Sequence, residues 1–307
     1  MEKGFSIWAN PSSPHGEGRK AKNALEDARD RIKAALGWDG ELIFTSGASE
    51  ALWIALTRSK AKQQIVSAVE HDAVFRAAPN AEIVADDTNF NENALVAIQF
   101  VNSETGTVNP VSEMASKIRP TGAILLSDCA QSAGKIDLPD ADMIVVSAHK
   151  FGGPIGIGAL LVRDFNLLEP VGGHERGYRQ GTENLPGALG MAAALEVGEW
   201  GTTPQDRSSF ADALGDDRLT IGEAVDYILA LTHPTMSAQA LLIRLDTMGF
   251  AVSAGSACSS GTLKKSRVLD AFGVSDEVAA RTIRVSIGWN TSVDDLDQFA
   301  EAWKSLS

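Results

Sequence analysis

The sequence predicts an α/β fold: a large domain whose mostly parallel sheet is sandwiched by helices, then a smaller α+β C-terminal domain. Three observations carry this. Short, continuously apolar segments recur through the first two-thirds of the chain with helical or turn stretches between several of them, as for strands buried on both faces. The composition then turns polar and Pro/Gly-bearing over residues 201–215 (GTTPQDRSSFADALG). Beyond that stretch, strands and helices mix without regular alternation. A chain of 307 residues allows about two domains at roughly 150 residues each. The boundary is therefore expected near residue 201, with a large domain at 1–200 and a small one at 201–307.

The elements follow in order. The start of the chain carries no periodic pattern. From Glu17 a helix reads on the spacing of Ala21, Ala24, Leu25, Ala28, Ile32, Ala35 and Leu36, and Gly37 stands just past its end. Leu42-Ile43-Phe44 is a short strand that runs into Thr45-Ser46-Gly47-Ala48-Ser49, and a second helix follows through Ala51, Leu52, Ile54 and Ala55. Further strands are expected at 64–67, 82–85, 95–101, 124–127, 143–146 and 158–162, and a helical run at 188–198. The C-terminal part reads as a helix near 238–248, a strand at 250–253 and a Ser/Gly-rich loop. A helix near 266–272, a strand at 282–287 and a closing helix from Val293 complete it. In such sheets the site lies beyond the carboxyl ends of the strands.

Charge and composition exclude several functions. With 27 Lys+Arg against 40 Asp+Glu the net charge is −13, so no basic excess exists to release counterions from a nucleic-acid backbone. No apolar run approaches the roughly 18 residues of a membrane helix, and the start, MEKGFSIWANPSSPHGEG, lacks the pattern of a secretory signal. Two cysteines, Cys129 and Cys258, make no disulfide framework. A reducing cytoplasm is the expected compartment.

Several chemical motifs fail on inspection. The glycines of GGPIGIG (152–158) do not have dinucleotide-fingerprint spacing and a strand follows them. His174-Glu175 begins like H-E-x-x-H without the second histidine. Ser147-Ala148-His149-Lys150 matches S-x-x-K but lacks the companion segments of acyl-serine enzymes. A different chemistry suits the same residues. Lys150 follows a buried strand, and Asp128 ends another, so both project from one sheet edge. A lysine there is commonly a surface ion-pair residue, and an aspartate a helix cap. Together they meet the needs of pyridoxal phosphate, which takes a lysine on its aldehyde and a carboxylate that keeps its ring nitrogen protonated. Opposite charges about 4 Å apart gain roughly 4 kcal/mol at an effective dielectric near 20, enough to hold that proton at neutral pH. Gly47-Ala48-Ser49, between strand and helix, suits a phosphate, or a plain N-cap by Ser49. His71 follows another strand and is either a ring-stacking proton carrier or a structural histidine.

FTSGASE (44–50), EHDAV (70–74), VNSETG (101–106), DCAQSAGK (128–135), SAHKFGGPIGIG (147–158), GGHERGYRQGTEN (172–184), VSAGSACSSG (252–261) and IRVSIG (283–288) occur in this order. In this the chain resembles the group-I, NifS/IscS-like cysteine desulfurases, which are fold-type-I pyridoxal-phosphate enzymes of the class-V aminotransferase family. The resemblance covers about 10–198 and 237–300. It implies that Lys150 is the Schiff-base lysine and Asp128 the partner of the pyridine nitrogen. Gln131 would bond the ring oxygen, and Ala48, Ser49, Ser147 and His149 would hold the phosphate. His71 would stack on the ring and shuttle protons. Thr182 would reach a phosphate across a homodimer interface. Arg284 would clamp the substrate carboxylate, with Asn102 and Ser103 beside it, and Cys258 would take the sulfur of L-cysteine as a persulfide for an acceptor protein. No metal enters this chemistry. Iron–sulfur cluster assembly or thiolation would use the sulfur. Cys129, on a buried segment, reads as packing.

Three departures from the family pattern stand out. NPSS (10–13) comes almost at once, where the family carries a strand and a D-x-x-A-T-T-P-like segment before it. The family's N-N-E-x-G reads Asn102-Ser103-Glu104-Thr105-Gly106, so a shorter serine leaves its contact to water. The stretch between GTEN and the Cys258 loop is shorter than usual, and a partner protein is expected to cover the surface this opens. A selenocysteine lyase, an aminotransferase and a partner-dependent or regulatory subunit are the alternatives; GSAC in a loop speaks against the aminotransferase.

Overall fold

Strands β1 (Glu41–Thr45), β2 (Gln63–Val66), β3 (Glu82–Ile83), β4 (Ala94–Ala97), β5 (Ile124–Asp128), β6 (Met143–Ser147) and β7 (Gly158–Val162) form one sheet in the order β1-β7-β6-β5-β4-β2-β3. β7 runs antiparallel to β1 and β6, and the other pairs are parallel. β1, β6, β5, β4 and β2 therefore point the same way and end at one edge. The computed structural model describes residues 1–85, 87–255 and 266–306. These fall into two compact units, Met1–Phe100 with Pro110–Gly198, and Val101–Asn109 with Glu199–Ser307.

The first unit has apolar side chains on both sheet faces because its central strands carry consecutive apolar residues, and successive residues point to opposite sides. Leu42, Phe44, Val96, Leu125, Ile144, Val146, Ala159 and Leu161 face one side; Ile43, Leu95, Leu126, Met143, Val145 and Leu160 face the other. Each fully buried aliphatic side chain contributes roughly 1.5–3 kcal/mol. Helices α1 (Glu2–Ser6), α2 (Gly16–Ala35), α3 (Ala48–Arg58), α4 (Asp72–Ala77), α5 (Val111–Ile118) and α6 (Leu185–Val197) belong to this unit. α2, α5 and α6 bury Leu25, Ile32, Ala115, Ile118, Leu185 and Met191 on the first face. α3 and α4 bury Leu52, Ile54 and Val74 on the second. α2 stops as its sequence indicates, with Leu36 as C-cap and Gly37 in the left-handed region at φ 63°.

The second unit holds a small antiparallel sheet, β8 (Arg218–Leu219), β9 (Ile228–Thr232) and β10 (Thr282–Ser286), in the order β10-β9-β8. Its helices are α7 (Pro204–Ala213), α8 (Ala238–Thr247), α9 (Arg267–Ala271), α10 (Asp276–Ala279) and α11 (Val293–Ser305). Phe299 sits in its core, edge-on to Phe210 and Phe250 at ring-centroid distances of 5.9 and 5.3 Å. Segment 101–109 joins this unit through Val108 N–H to Glu223 O (2.8 Å) and Val225 N–H to Gly106 O (2.9 Å). Gly106 is at φ 74°, and a Cβ there would lie 2.3 Å from the Ile228 carbonyl oxygen, so no other residue fits.

The sequence reading differs from the structure at several places. The polar stretch at 201–215 contains helix α7. Its signal is a capping box, Thr203 and Asp206 bonding reciprocally, with Pro204 in the first turn, and Phe210 is buried. Residues 250–253 are not a strand; Ser253 makes an isolated bridge to Arg284. The ladder partner of β10 is instead β9, an apolar run the pattern reading passed over. The strands expected at 82–85 and 95–101 are shorter, ending at Ile83 and Ala97. The Ser/Gly-rich loop at 256–265, with Cys258, lies outside the described residues.

Candidate active site

The common strand edge of the first unit collects most of the expected residues. Asp128 ends β5 and Ser147 ends β6, adjacent strands in parallel register with Asp128 opposite Val145. After Ser147 the chain makes a tight 3-10 turn, Ala148–Phe151, closed by Gly152 at φ 84°, which holds His149 and Lys150 at the edge. Asp128 is buried, and one carboxylate oxygen accepts the Ala130 N–H at 2.9 Å. Burial pushes its carboxyl above the usual range, while that N–H and the charges of His71 and Lys150 pull it back. A buried carboxylate within reach of the Lys150 charge is a receptor for a further N–H⁺.

His71 caps α4, its Nδ1 accepting the Ala73 N–H at 3.1 Å. The neutral ring therefore carries its proton on Nε2. Gln131 lies partly buried in the turn after Asp128. The His149 imidazole is held below its ordinary pKa by partial burial and by the neighbouring Lys150 charge, and its Nδ1 lies 3.1 Å from the Ser147 hydroxyl.

An anion cradle forms where β1 meets α3. Thr45 and Ser147 are both register partners of Gly158 on β7, so the turn at Gly47 and the Ser147–His149 segment flank one glycine. A Cβ on Gly158 would approach Gly47 Cα to 2.7 Å. Gly47 itself is at φ 150° and ψ −177°, a region essentially restricted to glycine, and as N-cap it has no side chain to take the first N–H groups of α3. Ala48 and Ser49 open that helix, and its positive end faces the gap. Thr182 is exposed, directly after the hairpin at 172–181.

Asn102, Ser103 and Arg284 belong to the second unit. Asn102 is buried, and its Oδ1 accepts the N–H groups of Glu104 (2.8 Å) and Thr105 (3.0 Å), so it builds the turn that Gly106 closes. Arg284 donates from Nη1 to the Ser103 carbonyl and from Nη2 to the Ser253 hydroxyl, both at 3.0 Å. Ser253 therefore aims the guanidinium, a role nothing in its sequence position announces.

Lys135, Glu50, Arg179 and the Arg29–Glu175 pair carry no signal in the sequence pattern. Burial and the charge of Lys150 push the Lys135 amine down to about 8. Its placement depends on the turn at Gly134, φ 74°, whose missing Cβ would lie 2.7 Å from Leu195 Cδ2; a lysine after glycine otherwise reads as solvent-facing. Cys129 is buried, and burial pushes its thiol up to about 12. It is therefore expected to stay unmodified when the folded protein is treated with iodoacetamide at pH 8. Alkylation at Cys129 of native protein, seen by peptide mass mapping, would contradict this.

The donor set fits pyridoxal phosphate: a lysine at the sheet edge, a buried carboxylate within reach of its charge, and a glycine cradle with free helix N–H groups for a phosphate. A mainly parallel seven-stranded sheet carrying this set defines a fold-type-I pyridoxal-phosphate enzyme. The chain belongs to the class-V aminotransferase family, which matches residues 80–299, and within it to the cysteine desulfurases. It is 31% identical over 342 aligned residues to cysteine desulfurase IscS 1 of Archaeoglobus fulgidus, covering 96% of this chain and 88% of that one. The solved NifS-like protein from Rickettsia africae superposes with a TM-score of 0.86 at 25% identity, covering 99% of this chain and 94% of that one. SspA, solved in complex with cysteine, superposes at 0.78 and 27% identity, covering 95% and 96%.

Proposed function

We propose that the protein converts L-cysteine to L-alanine with pyridoxal phosphate, moving the sulfur to Cys258 as a persulfide and then to an acceptor thiol. The observation that supports it most is the convergence of Asp128, Lys150, Ser147, His149 and the Gly47 cradle on one edge of the sheet, in a chain of the cysteine desulfurase family. Lys150 holds the cofactor covalently, Asp128 bonds its ring nitrogen and Gln131 its ring oxygen. The α3 N-terminus with Ala48, Ser49, Ser147 and His149 takes its phosphate, joined by Thr182 of a second copy in a homodimer. Bound there, the cofactor supplies an electron sink for the substrate's α-carbon.

The chain's residues supply the rest. Arg284, aimed by Ser253 and the Ser103 carbonyl, takes the substrate carboxylate in a bidentate pair, with Asn102 and Ser103 beside it. His71, capped at Nδ1, carries a proton at Nε2, and the released Lys150 amine takes or returns the α-proton. Cys258 attacks as a thiolate: a sulfur–sulfur bond forms, the substrate carbon–sulfur bond breaks, and the carbon is protonated to give alanine. A thiol that works this way must stay reduced between turnovers, which implies the cytoplasm. Among the described residues no helix is long and apolar enough to cross a membrane. The acceptor serves iron–sulfur cluster assembly or thiolation.

The test is alanine released from L-cysteine, with excess reductant, by the purified yellow protein beside its Cys258→Ala variant. Alanine is expected from the wild type and little from the variant. Equal release from both would remove the persulfide step and indicate a lyase. None from either, with cofactor bound, would indicate a subunit that works only with a partner.

A further inference from the structure

α3 begins on half of a capping box. In the full box a side chain on the N-cap takes a first-turn N–H, and an acidic residue three positions on reaches back to the N-cap. Here the N-cap is Gly47 and gives no side-chain bond. The acidic residue, Glu50, is kept. Its carboxylate reaches one residue further back and accepts the Ser46 N–H. The same carboxylate accepts from Arg179 Nε at 3.3 Å. Arg179 lies in a hairpin closed by the His174 N–H to Arg179 O bond (2.8 Å), and Glu175 of that hairpin accepts the Phe44 N–H (2.8 Å) on β1. Two anchors thus join the hairpin to the segment at 44–50.

A carboxylate in the first turn repels a phosphate dianion at the same helix end. Its presence calls for a structural reason. We infer that Glu50 is a positioning residue for the phosphate cradle. It fixes the turn at Ser46-Gly47 from below, Arg179 neutralises it, and the glycine N-cap leaves the first N–H groups of α3 to the anion. This rests on the placement of the phosphate at that turn. It assigns the hairpin before Thr182 a second task, holding the phosphate turn of its own chain.

The test compares the affinities of the apo protein for pyridoxal phosphate and for pyridoxal, read by absorbance during reconstitution. Their ratio isolates the phosphate. Glu50→Ala is expected to lower the ratio about tenfold, the size of a lost cap. Glu50→Asp, which keeps the charge but not the reach to Ser46, is expected to lower it similarly, and Glu50→Gln, which keeps an acceptor, to retain most of it. Arg179→Gln is expected to lower it and to add nothing in the Glu50→Asp background. An acid without a positioning role gives the opposite pattern: a higher ratio in Glu50→Ala and Glu50→Gln, and no change in Glu50→Asp. That pattern, or no change throughout, overturns the inference. Should Glu50→Ala not fold, Glu50→Asp decides between the two. Ser147→Ala and Ser49→Ala separate the two layers: if neither lowers the ratio, the phosphate placement itself fails, and the inference with it. If they lower it while the Glu50 variants do not, the placement stands and the role of Glu50 falls.

Discussion

Lys150→Ala is expected to lower alanine formation from L-cysteine by at least on the order of 10⁴-fold. On the proposed function the Nζ both holds the cofactor and moves the α-proton; proton transfer by one positioned side chain is by itself worth about 10²–10⁴. The position is costly to copy. Lys150 sits in a tight turn closed by Gly152, at the end of a strand whose residues are all buried. Its charge is felt by Asp128, Lys135 and His149 alike. Lys150→Arg should be as inactive as Lys150→Ala, because a guanidinium keeps the charge but stays protonated and forms no covalent bond to an aldehyde. That variant separates the electrostatic role from the nucleophilic one. The measurement is alanine by chromatography together with the near-420 nm absorbance of the purified proteins. Activity above about 1% of wild type in Lys150→Arg would remove the covalent role, and a retained yellow colour in both variants would place the cofactor on another lysine. Circular dichroism should be unchanged, since the turn is closed by Gly152 and not by the lysine side chain.

Much of the first unit is legible because burial there is two-sided: a continuous apolar run such as 143–146 admits few other readings, and the polar residue at its end stands out against it. Asp128 and Lys150 are visible in this way, as charges at or just past the ends of apolar runs. The second unit was harder. Its segments are short, and local signals mislead there in two opposite ways. Residues 201–215 look like a domain boundary because their polarity and proline are local signals, yet the capping box at Thr203 and Asp206 and the burial of Phe210 turn most of them into helix α7. Residues 250–253 look like a strand because they are short and apolar, but Phe250 packs edge-on against Phe299 and the ladder place beside β10 belongs to β9. Glu50, Arg179 and Ser253 were invisible for another reason. Their meaning lies in partners that the turns bring close: Glu50 meets Arg179 across 129 positions and Ser253 meets Arg284 across 31. No periodicity encodes a pairing of that kind.

Such a long-range pair also governs the second large effect, on stability. Glu175→Ala is expected to destabilise the protein by roughly 3–5 kcal/mol, the cost of breaking a buried ion pair from one side. The Glu175 side chain is 1% exposed and that of Arg29 is 5%. The carboxylate accepts from Arg29 Nη1 at 2.8 Å and Nη2 at 3.1 Å, as well as from the Phe44 N–H. Arg29 in turn donates to the Leu42 carbonyl at 2.6 Å and stacks over the Phe44 ring at 4.7 Å. Removing the glutamate therefore leaves the Phe44 N–H without its acceptor and the buried guanidinium with only the Leu42 carbonyl and the half-exposed Glu26 carboxylate at 3.1 Å. One term opposes this. Glu175 and Arg176 are at φ 47° and 57°, left-handed conformations that cost of order 1–3 kcal/mol each when held in place, and a hairpin freed from its anchor relaxes part of that strain. The net loss should still be large, because the desolvated charge stays behind on α2. Glu175→Gln keeps the shape and an acceptor for Phe44, so it should lose less. Adding Arg29→Met to Glu175→Ala should recover a good part of the loss, since the double variant buries no uncompensated charge. Urea unfolding followed by far-ultraviolet circular dichroism measures the wild type, Glu175→Ala, Glu175→Gln, Arg29→Met and the double variant. A loss below about 1 kcal/mol in Glu175→Ala, or simple additivity in the double variant, would show that the hairpin is held by its backbone bonds rather than by this pair.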